Sequence, residues 1–145
     1  MRIIIAGAGD VGFHLAKMLS SEAKDIYVID LNEDRLQLIS SQSDVYTING
    51  DAKSIEILQQ AMVAECDLLI AVTYSEETNL MVAILAKKFG VKRVIARINN
   101  VEIIKKSLEH HYHDLGIDTL ISPTHLATLE IERLIHRSVF TDDIE

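Results

Sequence analysis

The first thirty residues restrict this chain more than any other stretch. An apolar run, Ile3-Ile4-Ile5-Ala6, leads into Gly7-Ala8-Gly9-Asp10-Val11-Gly12; a helical pattern follows, and a second apolar run, Ile26-Tyr27-Val28-Ile29, ends on Asp30. A G-x-G-x-x-G between a strand and a helix, with an acidic residue about 20 positions further on, is far more specific than three glycines alone. Each glycine answers a different demand. Gly7 permits the tight turn out of the strand, Gly9 leaves no side chain between the backbone and an approaching pyrophosphate, and Gly12 lets the helix pack closely on the sheet. The helix's leading N–H groups and the positive end of its dipole meet at this turn, which makes it a ready anion site. Asp30 is placed to accept hydrogen bonds from an adenosine ribose, and its charge disfavours a 2′-phosphate. NAD(H) or an adenine nucleotide is therefore expected before NADP(H).

The pattern continues along the chain. Val11, Leu15, Met18 and Leu19 recur at helical spacing and form one buried face, leaving His14 and Lys17 on the surface. Asn32 can cap a helix whose first turn carries Glu33 and Asp34, with Leu36 and Ile39 inward. A third strand, Val45 to Asn49, leads through Gly50-Asp51 into a helix capped by Ser54, with Ile55, Leu58 and Met62 as its inner stripe. Asp67 to Val72 is almost wholly apolar, as befits a strand buried on both faces of a parallel sheet. Thr73 stands at its carboxyl end.

The helix from Glu76 to Phe89 contains Leu80-Met81-Val82-Ala83-Ile84-Leu85-Ala86, apolar on nearly all sides. One face is expected on the sheet and the other on a second subunit or lobe. Gly90 ends it. Val91 to Arg97 reads as a fifth strand, Val101 to Tyr112 as a helix with Ile104 and Leu108 inward, and Asp118 to Ile121 as a short sixth strand. Ser122-Pro123 opens a last helix to about Arg137, by serine capping with proline at the first helical position. Its two apolar lines, Ala127-Ile131-Leu134-Ile135 and Leu126-Leu129, imply two contacts.

Six strands alternating with helices predict an α/β fold: a Rossmann-like, doubly wound, parallel six-stranded sheet in the order 3-2-1-4-5-6, with right-handed crossovers and an extra C-terminal helix. Residues 1–121 are expected to form the nucleotide-binding lobe, 122–137 the last helix, and 138–145 a tail or the start of a linker. Ligands in such sheets sit at the carboxyl ends of the strands, where the order reverses. The residues at those tips are Gly7, Gly9, Asp10, Asp30, Asp51, Thr73 and Arg97.

Composition excludes several classes. The chain has 145 residues, 48% hydrophobic and 25% charged, which suits one globular domain. A formal charge of −8 argues against nucleic acid and anionic membrane surfaces as partners. The single cysteine, Cys66, precedes an apolar run and reads as a buried thiol, in keeping with a reducing cytoplasm. No apolar run reaches the roughly 18 residues of a membrane span, and no signal-peptide pattern is present, so a soluble protein is expected. His110, His111 and His113 sit near Glu109 and Asp114, but at most two of the histidines share a helix face and no cysteine follows. Dipole complementarity at a helix C-terminus explains them without a metal. Neither a Gly-x-Ser-x-Gly elbow nor a Gly-Lys-Ser/Thr phosphate loop occurs, which argues against a hydrolase and a P-loop ATPase.

With these residues placed, the chain resembles the N-terminal nucleotide-binding domain of Trk/Ktr potassium-transport regulators, the RCK or KTN family. The resemblance rests on Ile3-Ile4-Ile5-Ala6-Gly7-Ala8-Gly9 with Val11-Gly12, Val28-Ile29-Asp30, Asn49-Gly50-Asp51-Ala52, Ala71-Val72-Thr73 with Glu77 and Asn79, Ala96-Arg97 and Ser122-Pro123. It implies a cytosolic gating subunit that performs no chemistry. Such a subunit binds NAD(H), or ADP, ATP or AMP, assembles as homodimers and rings, and acts from the inner side of the cell membrane on a potassium transporter. It implies an adenine near Asp51, a ribose on Asp30, and a last helix crossing to a partner subunit. The expected nucleotide contacts are Gly7, Ala8, Gly9, Asp10, Val11, Gly12, Asp30, Leu31, Asp51, Ala52, Thr73 and Arg97.

Two departures matter. Many relatives carry a basic residue or an amide at position 10, the basic form helping to hold terminal phosphates; Asp10 at about 6 Å from a phosphate costs on the order of 1–3 kcal/mol at intermediate dielectric. That argues against ATP sensing through this position. Thr124 replaces an acidic residue implicated in divalent-cation binding in some relatives, so no metal site is carried over. The rival reading is the cofactor domain of an NAD-dependent dehydrogenase, which the chain supports with neither a substrate domain nor an acid/base pair. A nucleotide-free interaction module is the third.

Overall fold

The computed structural model describes residues 1–22, 25–99 and 106–122, together with Arg133. In chain order the elements are β1 (Arg2–Ala6), α1 (Asp10–Leu19), β2 (Asp25–Asp30), α2 (Glu33–Gln42), β3 (Tyr46–Asn49), α3 (Ile55–Gln60), a 3-10 turn (Val63–Glu65), β4 (Leu68–Ala71), α4 (Glu76–Lys88), β5 (Arg93–Arg97), α5 (Lys106–Asp114) and β6 (Thr119–Ile121). The strands form one sheet in the order β3-β2-β1-β4-β5-β6, with every pairing parallel. This is the predicted doubly wound topology, and its order reverses between β1 and β4.

Alternation along the central strands divides the core in two. Ile3 and Ile5 of β1, Ile26 and Val28 of β2, and Leu68 and Ile70 of β4 pack with Val11, Leu15 and Leu19 of α1 and Leu36 and Ile39 of α2. Ile4, Ala6, Ile29, Leu69 and Ala71 face the other way, onto Leu58 of α3 and Val82, Ala83 and Ala86 of α4. Burying a large aliphatic side chain contributes roughly 1.5–3 kcal/mol, so a sheet covered on both faces is the main source of stability here. The register also levels the strand ends: Ala6 pairs with both Ile29 and Ala71, and Ala71 with Ala96. The carboxyl tips of β1, β2, β4 and β5 therefore open onto one rim.

Asn32 and Ser54 cap their helices as the sequence predicts, and Ser75 caps α4 in the same way. Asn32 Oδ1 accepts from Arg35 N–H at 3.1 Å, Ser54 Oγ from Ile57 N–H at 3.4 Å, and Ser75 Oγ from Thr78 N–H at 3.1 Å. Cys66 is buried, and burial pushes its thiol up to about 12. At the amino ends of the strands, away from the rim, Asp67 is held below the ordinary carboxylate range, chiefly by the Arg2 N–H at 2.9 Å and also by Lys92.

The predicted inner stripe of α3 is corrected. Only Leu58 of that stripe is buried, while Ile55 is 50% and Met62 40% exposed. The helix stops at Gln60, and Met62 takes a left-handed conformation with φ of 59°. That reversal ends the helical phase, and Ala61 and Val63 fill the core instead. Met18 is partly buried against the core, while His14 and Lys17 are exposed as expected. Val45 packs partly against the core just before β3, whose own residues are mostly exposed.

On α4, Asn79, Val82, Ala83 and Ala86 are buried, Leu80, Ile84 and Leu85 half-buried, and Met81 exposed. The predicted helix from Val101 is described from Lys106 onward; Ile104, the side chain of Leu108, and the crossover helix apart from Ser122 and Arg133 lie outside the described residues. His110, His111 and His113 are exposed on α5, with the first two rings 3.9 Å apart. Among the described residues no helix is long and apolar enough to cross a membrane.

Candidate functional site

The turn after β1 is shaped by backbone crowding. Gly7 has φ of +115°, and a β-carbon there would lie 2.8 Å from Thr73 N, so the turn passes directly under the β4–α4 loop. A β-carbon on Gly12 would overlap the Gly7 carbonyl oxygen. Gly12 thus serves contact between α1 and the turn more directly than contact with the sheet. Gly9 occupies the N-cap of α1 without a side-chain cap. Its outer face is not open as the sequence suggests: a β-carbon on Gly9 would lie 3.0 Å from the Tyr74 ring.

Asp30, at the tip of β2, ties this turn to the next one. Its Oδ1 accepts from Ala8 N–H and its Oδ2 from Asn32 N–H, both at 2.8 Å. A carboxylate has about four lone-pair positions, so each oxygen keeps one for a ribose hydroxyl. Asn49 Nδ2 donates to the carbonyls of Asp30 and Leu31 at 3.1 and 3.0 Å, fixing the loop from the neighbouring strand. Asp51 Oδ1 accepts from Lys53 N–H at 2.9 Å, and the Lys53 ammonium lies 3.9 Å from Asp51 Oδ2 with both side chains about half exposed.

Asn79 organises the other side of the rim. It is 1% exposed, and its Oδ1 accepts from Thr73 N–H at 2.9 Å and from the Thr73 hydroxyl at 2.6 Å. Its Nδ2 donates to the carbonyls of Thr73 and Arg97, both at 3.0 Å. One amide therefore holds the tips of β4 and β5 together. Between Thr73 and the capping Ser75, Tyr74 projects outward with the guanidinium carbons of Arg35 and Arg97 at 5.5 and 5.3 Å from its ring centroid.

These elements enclose a cleft of about 280 Å³ at the switch between β1 and β4. That is near the lower end for small-molecule sites, the scale of a nucleoside rather than of a whole dinucleotide. Of the predicted contacts, Gly7, Gly9, Asp30, Leu31, Asp51, Ala52 and Thr73 line it. Ala8 and Asp10 line an adjoining groove instead. Val11 and Gly12 are buried behind the turn, and Arg97 stands behind Tyr74 with its Nε buried and unpaired among the described residues.

The cleft also contains Arg35, Lys53, Tyr74, Ser75 and Thr78, which sequence reasoning did not single out. Arg35 and Lys53 are the cationic side chains of its lining, and Asp30 and Asp51 its carboxylates, with Lys53 paired to Asp51. Asn79 was visible only as a residue of the family pattern. Nothing in helical periodicity reveals that a buried amide on α4 bonds two strand tips.

Fold and rim together define a Rossmann-like α/β domain with a solvent-open cleft at its switch point. The chain belongs to the TrkA-N domain family, whose pattern matches residues 3–123. It is 41% identical over 135 residues to a "Trk system potassium uptake protein TrkA homolog" of Archaeoglobus fulgidus, covering 93% of this chain and 30% of that protein. The chain thus spans less than a third of that relative's length. Among solved structures it is similar to the TrkA-N domain of inner membrane protein ybaL from Escherichia coli, with a TM-score of 0.70, 19% identity, and 95% and 96% of the two chains covered. It is also similar to the GsuK channel bound to NAD, with a TM-score of 0.67, 17% identity, and 83% and 21% covered.

Proposed function

We propose that this domain is a nucleotide sensor that regulates a membrane potassium transporter. The observation that carries the reading is the convergence of Gly7, Gly9, Asp30, Leu31, Asp51, Ala52 and Thr73 on one cleft at the switch point of a TrkA-N domain. In this reading adenine lies near Asp51 and Ala52, the ribose bonds Asp30, and the phosphates turn toward Gly9 and the start of α1. NAD(H) is the leading ligand, supported by the NAD-bound GsuK neighbour, with ADP, ATP or AMP as alternatives. A potassium transporter as partner is supported by the name of the Archaeoglobus relative, and a regulatory rather than catalytic role by the same likeness. Coupling requires the ligand to bind two arrangements of the assembly with different affinity. Met81 with the half-buried Leu80, Ile84 and Leu85 on α4 is the surface we assign to a second copy.

Thermal denaturation with NAD, NADH, NADP, ATP, ADP and AMP tests the reading, because a ligand that binds only the folded state raises the melting temperature by mass action. At least one adenine nucleotide should raise it, with NADP weakest because its 2′-phosphate meets Asp30. A melting temperature unmoved by all six at millimolar concentration would overturn the assignment. Turnover of NADH with a 2-oxo acid or aldehyde would favour a dehydrogenase.

A further inference from the structure

Two cavities meet over the glycine turn. The cleft and an adjoining groove of about 420 Å³ share Gly9, Arg35 and Tyr74. Tyr74 reaches from the β4–α4 loop across the glycine turn, so that its Cε2, Cζ and Oη atoms cover the outer face of Gly9. That is the face from which an anion would approach the leading N–H groups of α1, which no side chain caps. The ring is flanked by the Arg35 and Arg97 guanidiniums, the residue is 55% exposed, and no hydrogen bond restrains its hydroxyl among the described residues. Cation–π contacts at such an exposed position are weak, whereas a phosphate offers a guanidinium a charged, bidentate partner.

We propose that Tyr74 is a displaceable cover of the glycine turn and the residue that sets discrimination between a nucleoside and its phosphates. The proposal rests on the nucleotide reading above and deepens it. A nucleoside enters the Asp30–Asp51 end of the cleft and leaves Tyr74 in place. A nucleotide drives the ring off Gly9 and sets its phosphates between Arg35 and Arg97, which the departing ring releases. The two arginines thereby offset Asp10, which lines the groove beside Arg35. Because Tyr74 lies between Thr73 and the Ser75 cap of α4, its movement reports the presence of phosphate to the helix that carries Asn79.

The test is calorimetric titration of adenosine, AMP and ADP into the wild-type protein and into Tyr74→Ala, Tyr74→Phe and Arg35→Gln. Tyr74→Ala no longer has two cation–π contacts to break, so ADP should tighten about five- to thirtyfold relative to adenosine. Tyr74→Phe keeps the ring and should stay within about twofold of wild type. Arg35→Gln should lower the preference for ADP over adenosine. If Tyr74→Ala shifts ADP and adenosine together, or weakens ADP, the ring is a ligand contact rather than a cover and this proposal fails alone. If wild type binds none of the three, nor any nucleotide in the melting experiment, the nucleotide reading fails and takes the proposal with it.

Discussion

Replacing Asn79 probes how the rim is held. In Asn79→Ala the Thr73 N–H and hydroxyl lose their acceptor, and the carbonyls of Thr73 and Arg97 lose their donor. A hydrogen bond contributes about 0.5–1.5 kcal/mol net, and a buried group left unpaired costs about 1–3 kcal/mol. The hydroxyl retains a second acceptor in the Ser75 carbonyl at 3.1 Å, and part of this rim can admit water. A loss of about 2–4 kcal/mol is therefore expected, which for a domain of this size corresponds to a fall of about 6–12 °C in melting temperature. Urea denaturation should show a lower midpoint with an unchanged slope. Asn79→Asp separates bonding from volume. It keeps the acceptors but turns an ionised oxygen toward two carbonyls, which raises its pKa in the folded state above the unfolded value. Stability of that variant relative to wild type is then greatest at acid pH and is lost as pH rises through the folded pKa. A loss under about 1 kcal/mol in Asn79→Ala, or a pH-independent difference for Asn79→Asp, would refute the role given to this amide.

Gly12→Ala should be among the most damaging single changes, costing at least about 3 kcal/mol, because the new β-carbon meets the fixed Gly7 carbonyl rather than a movable side chain. Near-wild-type urea denaturation would contradict that geometry. Cys66 gives an alkaline signature: its thiol titrates near 9.0 when unfolded and at about 12 when folded. The native state then binds more protons between those values, so its stability falls with rising pH by about 1.4 kcal/mol per unit. Cys66→Ala lacks this component, so the stability difference between wild type and variant should drift in the variant's favour from pH 9 upward. A constant difference there would mean that the thiol is not desolvated.

The order of the sheet and the rim where its strand tips gather were legible because both follow from local patterns. Asp67 to Val72 reads as a strand buried on both faces without knowledge of what covers it, and an open parallel sheet with helices on both faces must reverse its order somewhere. The glycine spacing and Asp30 identify where. The end of α3 differs from its pattern: Met62 keeps helical spacing with Leu58, yet spacing does not report where a helix stops. The left-handed backbone of Met62 ends it early and turns that side chain outward.

The opening glycine turn divides along the same line. Its identity, its position after β1 and its place at the start of α1 depend on residues close together in the chain, and these were fixed by the primary structure. What stands over it depends on residues from three separate elements. Tyr74 comes from the loop after β4, Arg35 from α2 and Arg97 from the end of β5, and they become neighbours only because parallel pairing brings the strand tips level. Asp30 shows the same division: its position was readable, but its bonds to Ala8 and Asn32 were not. Periodicity carries information about which face of an element is buried, whereas the contacts between loops arise from packing in three dimensions.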